Sequence, residues 1–172
     1  MPKASRDSSL GTFAKIKHPM PTVHDKEIEN WGDKFKAKEI HLVCVATGGL
    51  TTCDCAASTI GGMDQEREVW PLTKKVNQTG ETGTFYPRFP LTVVPLLKWE
   101  DRPTPEDSDD FLARSFQDVA KANRDYIKLK TLYIDLNGWG SDYPFDDARR
   151  IAETVLAAEP SIETIYFAPK AT

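Results

Sequence analysis

What the 172-residue sequence lacks narrows it first. No run of apolar residues reaches the length that crosses a bilayer, and the N-terminus has no apolar core of the signal-peptide kind. The chain is therefore expected to be soluble and cytoplasmic, with no membrane partner. Cysteine is scarce. Three thiols cannot all pair internally, and Cys53 and Cys55, one residue apart, are too close for the usual zinc-ligand pair. Reduced thiols and no metal are expected. Net charge is small, -4, so no broad electrostatic footprint for nucleic acid is expected. There is no internal repeat and no long low-complexity tract. A chain 40% apolar and 28% charged has the composition of an ordinary globular protein with a core of its own.

What is present is centred on residues 131–148, TLYIDLNGWGSDYPFDDA. Leu132, Ile134 and Leu136 alternate with Thr131, Tyr133 and Asp135, the period of a strand. Ala148, Ile151, Ala152, Val155 and Leu156 then recur with the spacing of a helix lying on a core, over residues 145–159 up to Pro160. Between the two, residues 137–144 hold Gly138 and Gly140, where the backbone can approach a ligand closely. A glycine turn between a strand and a helix N-terminus suits an anion, because free N–H groups and the helix dipole both point at it. The turn matches neither a dinucleotide fingerprint nor a Walker loop, so a plain tight connection is the competing reading.

The remaining elements follow in order. Residues 1–11 carry little to bury and read as a loose terminus ahead of one domain over 12–172. A short strand is expected at 12–17, after which Pro19 and Pro21 should break regular structure, leaving His18 and His24 as surface loop histidines. Ile28, Trp31 and Phe35 predict a short amphipathic helix or a structured loop within 25–38. Residues 39–47 form a nearly continuous apolar run, a central strand covered on both faces, ending in Thr47-Gly48-Gly49-Leu50. Residues 64–83 read as a charged surface excursion. Residues 84–97 predict one or two strands interrupted by Pro87, Pro90 and Pro95, with Trp99 just beyond. Thr104 and Pro105 open a helix to about Tyr126, with Phe111, Leu112, Phe116, Val119, Ala120 and Asn123 as its buried stripe. Residues 163–168 close the chain as a strand.

Strand and helix alternate through the second half, which predicts a three-layer α/β/α sandwich on a mixed, largely parallel central sheet. Ligands of such folds bind outside the carboxyl ends of the strands. Thr47, Gly48, Gly49, Leu50, Trp99 and the turn at 137–143 should then share one rim, a cradle for phosphate beside rings that can stack on a base or sugar. The competing reading has the tryptophans capping the core.

The segment from about Thr84 to Ala168 resembles a macro domain, the ADP-ribose-binding α/β module, most specifically in Tyr143-Pro144 and the Ala148, Ile151, Ala152 pattern. The resemblance implies a macro-like sandwich in which Gly138, Trp139, Gly140, Ser141 and Asp142 surround a diphosphate and Tyr143 lies near the distal ribose, with Asn137 among the ligand-binding residues. It implies no cofactor. The partner would be ADP-ribose or a similar nucleotide, free or attached to a macromolecule. In the first half the chain departs from the family. Val45-Ala46-Thr47-Gly48-Gly49-Leu50 stands where an Asn-Ala-Asn-like motif is usual, and the missing asparagine touches hydrolysis more than binding. If an ADP-ribosyl bond is cut, a positioned water must attack the anomeric carbon, with Asp142 or a substrate phosphate orienting it. Asp142 also reads as an acid favouring the helix dipole. The alternatives are a non-catalytic protein-interaction domain that kept the sandwich and lost the ligand, and a Rossmann-type nucleotide transferase.

Overall fold

The computed structural model describes residues 18–46, 70–95, 105–137 and 144–170. Its centre is a six-stranded sheet of β1 (Thr22–His24), β2 (His41–Val45), β3 (Gly83–Phe85), β4 (Leu91–Val94), β5 (Thr131–Asp135) and β6 (Thr164–Phe167). The spatial order is β1-β6-β5-β2-β4-β3. All neighbours are parallel except β3 against β4, a hairpin whose strands flank Pro87 and Pro90. The mixed, largely parallel sheet expected from the alternation of elements is the one observed.

Helices cover both faces. On one side lie α3 (Pro105–Ala122), continued by a π-helical turn at Asn123–Ile127, and α4 (Phe145–Ala157). Their stripes, Phe116, Val119, Ala152 and Val155 among them, pack on Val43, Val94, Ile134 and Phe167. On the other lie α1 (Trp31–Lys36) and α2 (Trp70–Thr79), where Phe35 and Val76 meet Leu42, Cys44, Leu91 and Tyr133. Alternate residues of β2 thus face opposite cores, and every residue of the strand is buried. This is why the run at 39–47 is apolar throughout instead of alternating. Tyr133 is buried too, against the second layer, so β5 hides the polar-looking half of its alternation.

Three expectations are corrected. Residues 70–79, read as part of a surface excursion, form α2, whose short stripe of Leu72, Thr73 and Val76 seats on β3 and β4. The prolines at 19 and 21 do not prevent a strand at once afterwards: β1 is held by its parallel pairing to β6, with Val23 opposite Ile165. Of the two histidines expected in surface loops, His24 lies in β1, while His18 is in a bend before it and partly buried. His18 Nε2 lies 2.9 Å from the Ala157 carbonyl at the end of α4, and the His24 ring stacks on Tyr166 with centroids 4.6 Å apart. The strand expected at 12–17 falls outside the described residues.

Beneath α3 the core is polar at one point. His41 is fully buried, with Nδ1 3.1 Å from Asn123 Oδ1 and Nε2 2.7 Å from Thr92 Oγ1. Asn123 Nδ2 donates to the Leu129 carbonyl at 3.0 Å and to Ser161 Oγ at 2.9 Å, which orients its amide and leaves Oδ1 as the acceptor for His41. Burial drives the His41 pKa down to about 4, against a smaller upward pull from Asn123. The ring is neutral at pH 7, with its proton on Nδ1.

Candidate functional site

Five parallel strands run in one direction, so their carboxyl ends share one rim. There the chain leaves the sheet at Ala46 after β2, Pro95 after β4 and Asn137 after β5, with Asp25 after β1 and Ala168 after β6. Ladder bonds reach the lip: Ala46 N–H donates to the Val94 carbonyl and Ala168 N–H to the Ile134 carbonyl, each at 2.8 Å. Thr47 and Gly138, the first residues of the two glycine turns, follow Ala46 and Asn137 directly. β2 and β5 are neighbours in the sheet, so Ala46 and Asn137, the last described residues before those turns, follow adjacent strand ends. Thr47, Gly48, Gly49, Leu50, Trp99, Gly138, Trp139, Gly140, Ser141, Asp142 and Tyr143 themselves lie outside the described residues.

Asn137 is the described member of the set, and its geometry explains how the second turn begins. Its backbone N–H and its Nδ2 both donate to Asp135 Oδ1, at 2.9 and 2.8 Å, and Nδ2 also donates to the Pro169 carbonyl at 3.0 Å. The side chain thus ties the end of β5 to the segment after β6. An Asp two residues before the bonded amide is a local turn device, which redirects the chain without needing a helix or ladder bond. Asp135 is therefore a structural acceptor at the rim, not a solvated face residue. It also reaches inward: with burial as the main cause, it adds to the upward shifts of the Cys44 thiol and the Tyr133 phenol, the latter raised by Glu27 as well. Both groups stay protonated and neutral at pH 7.

Among the described residues, the cations Arg149 and Lys170 near this rim are paired with carboxylates. Arg149, on the second turn of α4, donates to Asp25 Oδ1 from Nε at 3.0 Å and Nη2 at 2.6 Å, and to Glu153 Oε2 from Nη1. Its guanidinium lies 3.9 Å above the Phe167 ring. Lys170 Nζ is 3.4 Å from Asp146 Oδ2 in the first turn of α4 and 5.6 Å from the Phe145 ring. The N-terminal end of α4, beside Lys170 and Asp146, carries the positive end of that helix's dipole. Asp146 and Asp147 occupy that same helix end and offset part of it. Among the described residues no three His, Cys, Asp or Glu side chains come together to hold a metal ion.

Sequence reading missed Arg149 and the pair it makes with Asp25, because the partners are separated by most of the chain. Asp25 itself was named in sequence, with Asp33, as an acid near in order to the one the family uses on the adenine amine, and it is the first residue after β1.

Solved structures similar to this chain include two macrodomains. The macrodomain of Mycobacterium tuberculosis DarG is 12% identical and matches over 87% of this chain and 99% of that one, with a TM-score of 0.51. A mutant of the Oceanobacillus iheyensis macrodomain is 14% identical over 85% of this chain and 82% of that one, with a TM-score of 0.46. No family model and no curated protein matches the sequence. At these identities the likeness is one of fold: the chain is folded like a macrodomain.

Proposed function

We propose that the chain binds ADP-ribose, or a related nucleotide diphosphate, at the carboxyl rim of its sheet. The observation that supports the reading is the strand order β1-β6-β5-β2-β4-β3, which sets the carboxyl ends of β2 and β5 side by side, the latter followed by Asn137, whose side chain is tied to Asp135 and Pro169. In this reading Gly138, Trp139, Gly140 and Ser141 wrap the diphosphate through backbone N–H groups, helped by Thr47, Gly48, Gly49 and Leu50. Trp99 and Tyr143 supply ring faces for base or ribose.

Hydrolysis is the further step. A water would attack the anomeric carbon of the distal ribose and lose its proton as the bond to the leaving oxygen or nitrogen breaks. That departing atom takes up a proton, and the turn amides stabilise the negative charge developing on it. Asp142 would orient the water. The anchoring of Asn137 at the end of β5 supports binding and contributes nothing to the cutting step.

Calorimetry with ADP-ribose, ADP and AMP tests the reading. ADP-ribose should bind tightest, since it alone carries both the diphosphate and the distal ribose. Absence of heat with all three at about 1 mM, where even a weak site would be half filled, refutes the reading and favours the protein-interaction alternative. Binding without release of ADP-ribose from a modified substrate would make the chain a reader and not a hydrolase.

A further inference from the structure

A cleft of about 990 Å³ lies between α3 and the α2–β3 connection, bounded by Thr84 on β3. It is at the upper end of the size of small-ligand sites, about 300–1,000 Å³. None of its residues belongs to the rim described above.

The hydroxyls lining it spend their protons on the protein. Thr79 donates to the Lys75 carbonyl at 2.9 Å, Thr82 to the Ser115 carbonyl at 3.3 Å, and Ser115 to the Phe111 carbonyl at 3.0 Å. For Thr84 the direction follows from the buried relay. His41 Nδ1–H is given to Asn123, so Nε2 is an acceptor and Thr92 must donate to it. Thr92 has one proton, so its contact with Thr84 at 3.3 Å takes the proton of Thr84. What Thr79, Thr82, Thr84 and Ser115 can offer a ligand is lone pairs.

Three carboxylates join them: Glu81 from the connection, and Asp110 and Asp118 from α3. The last two are eight residues apart, about 12 Å along the helix axis. Arg114 and Lys121 stand among them, and the run Asp110, Arg114, Asp118, Lys121 would alone be a solvated helix stripe. Yet none of these charges meets another within 4.0 Å among the described residues; the described ion pair of α3 on its other side is Asp109 with Arg150. Burial, and then Glu81, push the Asp118 carboxyl up against the pull of Lys121 and Arg114. The half-exposed Tyr126 ring lies at the end of the cleft and offers a face to a cation.

We infer that this cleft binds an organic cation carrying two or more ammonium or guanidinium groups, held by Glu81, Asp110 and Asp118 and by the hydroxyl acceptors. Free polyamines and basic peptide side chains share that chemistry. Titration calorimetry of the whole chain with spermidine and with a blocked arginine-glycine-arginine tripeptide, at about 0.15 M salt to screen diffuse attraction, separates them. At least one should bind saturably, and the tighter names the source, while inorganic phosphate gives no heat. Asp118→Asn and Glu81→Gln should each weaken the cation by about 5-fold or more, the loss expected for a charged hydrogen-bond partner. Lys121→Ala should strengthen it, and Gly138→Glu at the rim should leave it unchanged. No saturable binding of either cation up to about 10 mM, tighter binding of phosphate, or equal affinity in Asp118→Asn and the parent overturns the inference. Unchanged unfolding midpoints in the surface variants exclude loss of fold as the cause.

Discussion

The two faces of the sheet each bury a threonine, and they treat it in opposite ways. Thr92, under α3, gives its proton to His41 and accepts from Thr84. Thr73, on α2 against the other face, is equally buried, yet its Oγ1 has no hydrogen-bond partner among the described residues. The α3/α4 layer is built from two long helices with continuous stripes, and its polar groups are wired together where those stripes end. The α1/α2 layer is built from short helices and aromatic pairs such as Phe35 with Phe89, and it leaves a hydroxyl unsatisfied. Length of element, more than apolar content, separates a layer that specifies its packing from one that fills space.

The largest effect expected is on the first layer. Phe116→Ala empties a fully buried site between α3 and the sheet and should cost about 3–5 kcal/mol in urea unfolding. Phe35→Ala, within a six-residue helix whose neighbours can collapse inward, should cost less. Equal losses would erase the contrast between the layers.

Acid should act mainly through the first layer as well. The His41 pKa is about 4 in the fold against 6.5 when unfolded, so the unfolded chain takes up the proton first. The stability associated with the neutral ring is complete above pH 6.5 and drains away as pH falls from there towards 4. The loss reaches about 3 kcal/mol at roughly 1.4 kcal/mol per pH unit. Urea midpoints across that range should slope in the parent and flatten in His41→Gln; parallel slopes would show that other groups carry the acid sensitivity.

The threonines give the smaller and most selective test. Thr92→Val strips His41 of its donor and Thr84 of its acceptor, and should cost about 1–3 kcal/mol. Thr73→Val replaces an orphaned hydroxyl by a methyl and should be neutral or stabilising by up to about 1 kcal/mol. The same substitution should thus change sign across the sheet. Destabilisation of similar size at both positions would mean that Thr73 is satisfied in solution.

The first layer was also the legible one. The stripes of α3 and α4 were readable at helical spacing, and Asn123 stood out as the polar member of a buried row, though nothing nearby in sequence announced its partner. His41 was hidden because it opens an apolar run and its partners, Thr92 and Asn123, are distant in the chain. α2 was missed because its buried row contains a threonine and is only ten residues long, too short for periodicity to dominate. β1 was missed because three residues after a proline have no pattern of their own; their pairing with β6 makes the strand. At the rim, sequence reading named Asn137, while the glycine turns it also named lie outside the described residues. The Asp25 and Arg149 pair, which ties the end of β1 to α4, could be found only in three dimensions.

The central claim is that the carboxyl rim holds a nucleotide diphosphate, and an amide-resolved NMR titration of the chain with ADP-ribose tests it most directly. The account predicts saturable shifts of the Asn137 backbone and side-chain amide signals together with those of Gly138 and Gly140, lost in Gly138→Glu while the core signals stay in place. Saturable shifts confined to residues away from the rim, or none at all, would contradict it.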